Sequence, residues 1–77
     1  MELPAKTIDA KGLSCPMPII RLSQAMADMA IGQVIKVVAT DQSFVPDIAA
    51  WCRKTGHELV DLKEGEEEIV ALIKKLK

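Results

Sequence analysis

The spacing of apolar residues changes several times along this chain of 77 residues, and this succession constrains the fold most. A short extended segment at 6–10 precedes a helical pattern that runs from 16 to about 30. The β-branched run at 34–39 predicts a strand, a second helical pattern ends at Gly56, and residues 59–62 predict a third strand. This order predicts right-handed crossovers and parallel pairing of the first strands.

Two apolar stripes define the predicted helices. The stripe of the first helix consists of Ile19, Leu22, Met26 and Met29 or Ala30. The stripe of the second consists of Val45, Ile48, Ala49 and Cys52. We expect Gly32 and Gly56 to end the two helices, because glycine readily adopts the left-handed conformation that follows a helix. Residues 41–43 offer capping oxygens for the second helix, and Pro46 fits its first turn.

The last segment of the chain fits either a helix or a strand. Its apolar residues with helical spacing are Ile69, Leu72, Ile73 and Leu76. Glutamates precede this segment and lysines end it, which suits the dipole of a helix. As a strand it would be apolar on both faces, and spacing alone slightly favours the helix. Two helices cannot cover both faces of a sheet, so we expect a two-layer sandwich.

Composition argues against several classes of function. Hydrophobic residues make up 49% of the chain and charged residues 27%, which is typical of a globular protein. A net charge of -1 and only two aromatic residues argue against direct binding to nucleic acid. Residues 1–6 lack a basic region followed by an apolar stretch, and no apolar run approaches the ~20 residues that span a bilayer. We therefore expect a single domain over 1–77, in the cytoplasm and without membrane insertion.

The candidate active-site feature is Cys15-Pro16-Met17-Pro18, where a polar turn gives way to the first helix. Prolines fit a first helical turn, and Pro16 biases Cys15 away from helical backbone angles. If Cys15 caps the helix, its sulfur approaches the Met17 N–H and the positive end of the helix dipole, which favour the thiolate. The apolar side chains of Leu13 and Met17 have the opposite effect. We therefore expect an exposed thiol, with an acidity that the sequence leaves open.

The sequence lacks the residues that other cysteine chemistries need. It contains no Cys-x-x-Cys pair, and His57, the single histidine, follows the end of the second helix. A zinc site needs about four ligands, so we expect no metal and no cofactor. A lone nucleophilic sulfur that exchanges a group, such as a persulfide, is the chemistry left to Cys15. We expect Cys52 to pack in the core, and the alternative is a secondary, resolving thiol.

Three segments, Asp9–Pro18, Ala39–Asp41 and Trp51–Leu59, resemble the TusA/SirA/YedF family of small sulfur-carrier proteins. The resemblance covers nearly the whole chain. It implies an α+β fold, a βαβαββ two-layer sandwich with a four-stranded mixed sheet and two helices on one face. It also assigns Val70–Lys75 to the last strand, against the helical spacing. By the same resemblance Cys15 carries sulfur as a persulfide. The residues expected to support it are Gly12, Leu13, Pro16, Met17 and Pro18.

The resemblance also implies protein partners. These are a sulfur donor of the cysteine desulfurase or rhodanese type and an acceptor of the DsrE type, in a relay such as tRNA thiolation or sulfur oxidation. One alternative is a thiosulfate-processing protein that accompanies a YeeE-type membrane transporter. Another is a non-covalent regulatory or adaptor module, which would bind its partners without using Cys15. The sequence does not select the pathway.

Overall fold

The computed structural model describes residues 4–77, which form two helices and four strands. In chain order these are β1 (Lys6–Ala10), α1 (Met17–Met26), β2 (Val34–Ala39), α2 (Phe44–Thr55), β3 (Glu58–Glu64) and β4 (Ile69–Lys74). The βαβαββ order is therefore confirmed. Residues 1–3 lie outside the described residues. They are part of the predicted single domain and of the segment in which no signal peptide is expected. Within the described range, neither helix is long and apolar enough to cross a membrane.

The four strands form one mixed sheet in the order β1-β2-β4-β3. β1 and β2 are parallel, with Ile8 opposite Val37 and Ala10 opposite Ala39. β4 is antiparallel to both of its neighbours. Because β1 and β2 run in the same direction, their carboxyl ends lie at the same edge of the sheet. The loops that follow these two strands therefore start side by side.

The hydrophobic core lies between one face of the sheet and the two helices. The sheet residues that belong to this core are Ala10, Ile35, Val37, Ala39, Ile69, Ala71 and Ile73. The buried residues of the helices are Pro18, Leu22, Met26, Phe44, Ile48 and Cys52. α1 packs on β1 and β2, and α2 packs beside β3. The molecule is therefore a two-layer α/β sandwich, as predicted, with both helices on one face.

The final segment is a strand, so the helical spacing there is misleading and the family resemblance is correct. β4 lies between β2 and β3 and pairs with both. Its residues Ile69, Ala71 and Ile73 face the core, whereas Val70 and Leu72 are half-buried on the other face. An interior strand that is apolar on both faces explains why its residues also fit a helical pattern. Its bounds are one residue earlier than the predicted ones.

Helix α1 is shorter than predicted, and Gly32 does not end it. The helix ends at Met26 rather than near Ala30, and Gly32, with φ of 96°, lies in the turn before β2. The Nζ atom of Lys75 donates hydrogen bonds to the carbonyls of Met26 and Met29, at 2.8 and 2.7 Å. A lysine from the far end of the chain thus binds the carbonyl of Met26, which another helical turn would have used, and the carbonyl of Met29 in the turn that follows.

Helix α2 ends as predicted, and β3 is longer than predicted. Gly56 has φ of 84° and donates its N–H to the carbonyl of Cys52 at 2.9 Å. β3 covers Glu58–Glu64 rather than 59–62. A shift in register between Leu59 and Asp61 leaves one extra residue in this strand, and pairing with β4 then continues to its end. The sequence pattern contains no signal for that bulge.

Candidate functional site

The Cys15 loop is held by hydrogen bonds between the two loops at the carboxyl ends of β1 and β2. The Gly12 N–H donates to Oγ1 of Thr40 at 2.9 Å, and the Cys15 N–H donates to Oδ2 of Asp41 at 3.1 Å. Gly12 has φ of 80°, a left-handed conformation that a side chain would strain. Glycine is therefore required for the turn that precedes the cysteine. The side chains of Thr40 and Asp41, in the loop after β2, thus hold the loop after β1 in place.

Cys15 precedes helix α1 but does not cap it. Pro16 occupies the N-cap position, and no side chain makes a capping hydrogen bond. The Cys15–Pro16 peptide bond is cis. The Met17 N–H donates to the carbonyl of Ser14 at 2.9 Å, so it does not donate a hydrogen bond to the Cys15 sulfur. The predicted contact between the Cys15 sulfur and the Met17 N–H is therefore wrong.

The side chains of the motif divide between solvent and core. Cys15 is exposed, as expected, and Met17 is 40% exposed. Pro18 is fully buried, and Leu13 packs against the core from a half-buried position. The sequence placed Pro18 in the first helical turn and did not predict its burial. Pro18 and Leu13 anchor the loop, whereas Cys15 and Met17 face solvent.

Two carboxylates lie beside the thiol. A narrow cleft with no room for a water molecule joins Cys15 to Asp41 and Asp47, and Pro18 and Ile19 of α1 also line it. The pKa of the Cys15 thiol is raised, first because the neighbouring Asp47 carboxylate is a hydrogen-bond acceptor that favours the protonated thiol. Partial desolvation and the negative charges of Asp47 and Asp41 act in the same direction. At neutral pH the resting thiol is therefore protonated.

Asp41 connects the Cys15 loop to the start of α2. Its Oδ2 accepts the Cys15 N–H, and its Oδ1 accepts the Ser43 N–H at 3.1 Å. The hydrogen bonds from Ser43 and then from Cys15 lower the pKa of the Asp41 carboxyl, so it is charged at neutral pH. Ser43 is the N-cap residue of α2, but its side chain makes no capping hydrogen bond. The capping prediction for 41–43 is thus wrong for the Ser43 hydroxyl.

Neither the role of Asp47 nor the contact of Asp41 with Cys15 is predicted by the sequence. Asp47 lies in the first turn of α2, far from Cys15 along the chain. One available signal was the parallel pairing of β1 and β2, which places both following loops at the same edge of the sheet. That signal indicates Asp41 as a neighbour of the Cys15 loop. It does not indicate Asp47, whose position depends on how α2 packs.

Cys52 lies in the core on the inner face of α2. It is 5% exposed, and burial raises the pKa of its thiol. Cys52 and Cys15 are both free cysteines. Cys52 does not line the cleft beside Cys15. Its position fits the packing role, and the role of secondary thiol stays a prediction.

His57 lies beyond the end of α2 that is opposite Asp47. Its Nδ1 accepts the Leu76 N–H at 3.2 Å, and its ring lies 5.5 Å from the ring of Trp51. Desolvation, then the charges of two nearby lysines, lower its pKa. His57 is therefore placed to hold the chain end and not to act on Cys15. In residues 4–77 no cluster of histidine, cysteine, aspartate and glutamate could hold a metal ion.

A wider groove of about 670 Å³ lies between the edge strand β1 and helix α1. Met17, Ile20 and Arg21 line its α1 side, whereas Cys15 is not part of its wall. Met17 and Ile20 are each 40% exposed. Met17 thus connects the groove to the loop that holds the thiol.

Comparison with known proteins agrees with this architecture. The family described as Sulfurtransferase TusA matches residues 6–75. The sulfur carrier protein TusA of Allochromatium vinosum is 44% identical over 68 residues, which cover 88% of this chain and 90% of that protein. A relative from Aquifex aeolicus with a provisional sulfur-carrier name is 40% identical over 70 residues, 91% of this chain. The chain spans 36% of the length of that relative.

A solved structure shows the same fold. The crystal structure of a SirA-like protein from Desulfitobacterium hafniense superposes with a TM-score of 0.81 at 26% sequence identity. The match covers 94% of this chain and 99% of the other. Four strands, two helices and their order along the chain are thus shared with a protein of this type.

Proposed function

The chain belongs to the TusA sulfurtransferase family, and on that basis we propose that it carries sulfane sulfur as a persulfide on Cys15. The observation that carries the proposal is an exposed thiol on a loop fixed by hydrogen bonds from Gly12 and Cys15 to the neighbouring loop. An exchange between sulfurs needs an accessible thiolate and a suitable leaving group, and it needs no metal. The side chains of Leu13 and Pro18 support this role by anchoring the loop to the core.

The loading step transfers one sulfur atom without an external oxidant. The Cys15 sulfur, having lost its proton, attacks the outer sulfur of a donor persulfide, R–S–SH. A new bond forms between these two sulfurs, and the bond between the outer and inner sulfurs of the donor breaks. Its electron pair leaves with the inner sulfur, which takes up a proton. The products are the donor thiol, R–SH, and the Cys15 persulfide.

Delivery repeats the same exchange with an acceptor thiol. The acceptor attacks the outer sulfur of the Cys15 persulfide, and Cys15 leaves as the thiol. The partners are therefore a sulfur-donor protein, of the cysteine desulfurase or rhodanese type, and an acceptor protein, of the DsrE type. We place the exchange in the cytoplasm, where thiols stay reduced, and two free cysteines are compatible with that compartment.

Intact mass spectrometry tests the loading step. The wild-type chain, Cys15→Ser and Cys52→Ser are incubated with a persulfide-loaded cysteine desulfurase and, separately, with thiosulfate. With the desulfurase, the proposal expects one added sulfur per chain, removable by a reductant, in the wild type and in Cys52→Ser but not in Cys15→Ser. An adduct that persists in Cys15→Ser and is absent in Cys52→Ser would reverse the assignment. Repeated release of sulfite from thiosulfate would support the thiosulfate-processing alternative instead.

A further inference from the structure

The charges around Cys15 are of one sign. Asp41 is held in place by backbone N–H groups on both sides of the cleft, and Asp47 contributes a second carboxylate from the first turn of α2. From α1, the cleft is lined by Pro18 and Ile19, which carry no charge. Among the described residues, no lysine or arginine lines this cleft. A reactive thiol therefore lies next to two acidic groups without a local cation.

The nearest lysine in the sequence does not neutralise these carboxylates. Lys11, in the same loop as Cys15, has its Nζ atom 3.7 Å from a carboxylate oxygen of Glu68 at the start of β4. Its backbone N–H donates to the side chain of Asp9. The negative field at the thiol is thus left for a partner to balance.

We propose that Asp41 and Asp47 select the sulfur donor by charge, disfavouring anionic donors at Cys15 and favouring a donor protein that places positive charge beside its own sulfur. This proposal rests on the proposed function for the identity of the reacting thiol. Attack on a sulfur–sulfur bond spreads negative charge over the sulfurs, and a second anion beside two carboxylates raises the energy of that arrangement. A cationic side chain lowers it, and complementary charge also speeds the encounter.

The same contact activates the thiol. In the absence of a partner, Asp47 and Asp41 favour the protonated Cys15 thiol by raising its pKa. A donor cation that pairs with Asp47 offsets the negative charge that disfavours the thiolate. The fraction of Cys15 that is thiolate therefore rises in the encounter complex. Small anions such as thiosulfate meet a protonated thiol behind two like charges, so unassisted loading from them is slow.

Three small symmetric disulfides test charge selection without any persulfide. Cystamine is cationic, bis(2-hydroxyethyl) disulfide is neutral and dithiodiglycolate is anionic, and each forms a mixed disulfide with a thiolate by the same exchange. Rates at Cys15 are measured on the full chain by quenching and peptide mapping, at low ionic strength. The quantity compared is the ratio of the cystamine rate to the dithiodiglycolate rate. Any general change in the amount of thiolate affects both rates equally and cancels in this ratio.

The Asp47→Asn variant should reduce this ratio about three- to tenfold, and Asp41→Asn should reduce it in the same direction. Asp28→Asn removes the same charge just beyond the opposite end of α1 and should leave the ratio unchanged. Salt at about 1 M should also reduce the wild-type ratio, because it screens exposed charges. A ratio that is equal in the wild type, Asp47→Asn and Asp41→Asn would overturn the proposal. Because no sulfane sulfur is involved, this result is independent of persulfide loading.

Discussion

Cys15 and Cys52 lie in two contrasting regions of the molecule, an exposed loop before α1 and the buried inner face of α2. The pKa of each thiol is raised, but for different reasons. Hydrogen bonding to Asp47 is the largest cause at Cys15, whereas burial is the cause at Cys52. A visiting protein can change the first cause because it can reach the carboxylate. Only an opening of the fold can change the second.

This comparison separates the acidity of a thiol from its availability. The pKa is raised at both cysteines, so the direction of the shift does not identify the reactive thiol. Exposure and the cause of the shift do identify it, since a partner can activate a thiol whose pKa is raised by nearby charge. A thiol suppressed by packing contributes to stability instead. Three predictions test this contrast, in order of decreasing effect.

The largest expected difference is in the rate of alkylation. Iodoacetamide should modify Cys15 at least about 100-fold faster than Cys52, because Cys52 must first be exposed by local or global unfolding. Timed quenching followed by peptide mapping gives both rates in one sample of native wild-type protein. Similar rates at the two cysteines would remove the basis of the contrast.

The second difference is in stability, where substitution of Cys52 should have a larger effect than substitution of Cys15. Cys52→Ser should lower the free energy of unfolding by about 1–3 kcal/mol, because it places a hydroxyl without a partner in the core. Cys15→Ser should change it by less than about 0.5 kcal/mol, because the side chain is exposed. Urea unfolding followed by far-ultraviolet circular dichroism measures both. A larger loss in Cys15→Ser than in Cys52→Ser would contradict the assignment of Cys52 to packing.

The smallest effect is the dependence of stability on pH. A folded-state pKa above the unfolded one means that the folded chain keeps a proton that the unfolded chain releases. Stability from Cys52 is thus fully present below the unfolded pKa and decreases as the pH rises through the folded one. The wild type should therefore lose its advantage over Cys52→Ala in alkaline solution.

The matched control for this pH dependence is Cys15→Ala. Solvent screens the charges around the exposed Cys15, so its removal should alter the slope less. The measurement is urea unfolding at pH values on both sides of the ordinary thiol pKa. A difference between wild type and Cys52→Ala that does not vary with pH would exclude a burial-linked pKa.

Much of the fold was predictable because several elements have strong local signals. The extended segment at 6–10 and the β-branched run at 34–39 are strands with those same bounds. Gly56 ends α2 because glycine adopts the required conformation at little cost. In contrast, the Met26 carbonyl at the end of α1 accepts a hydrogen bond from Lys75, which lies 49 residues later in the chain and gives no local signal. Spacing could not identify β4 either, because an interior strand is apolar on both faces.

The candidate site was predictable only in part. The prolines and Gly12 mark a turn into a helix, and this local pattern indicates that Cys15 is exposed. The contacts that set its chemistry are not local. Asp41 reaches Cys15 through the pairing of β1 with β2, and Asp47 through the packing of α2. For that reason the sequence left the acidity of Cys15 open, whereas the structure places two carboxylates where they disfavour the thiolate.

The most direct test of the carrier role follows a single sulfur atom through both exchanges. The chain is loaded with isotope-labelled sulfane sulfur from a desulfurase, separated from the donor, and mixed with an acceptor protein of the DsrE type. The account predicts that label leaves the Cys15 peptide as it arrives on the acceptor thiol, at no more than one sulfur per chain. It also predicts no transfer through Cys15→Ser. Label that reaches the acceptor equally well through Cys15→Ser, or that never leaves Cys15, would contradict the account.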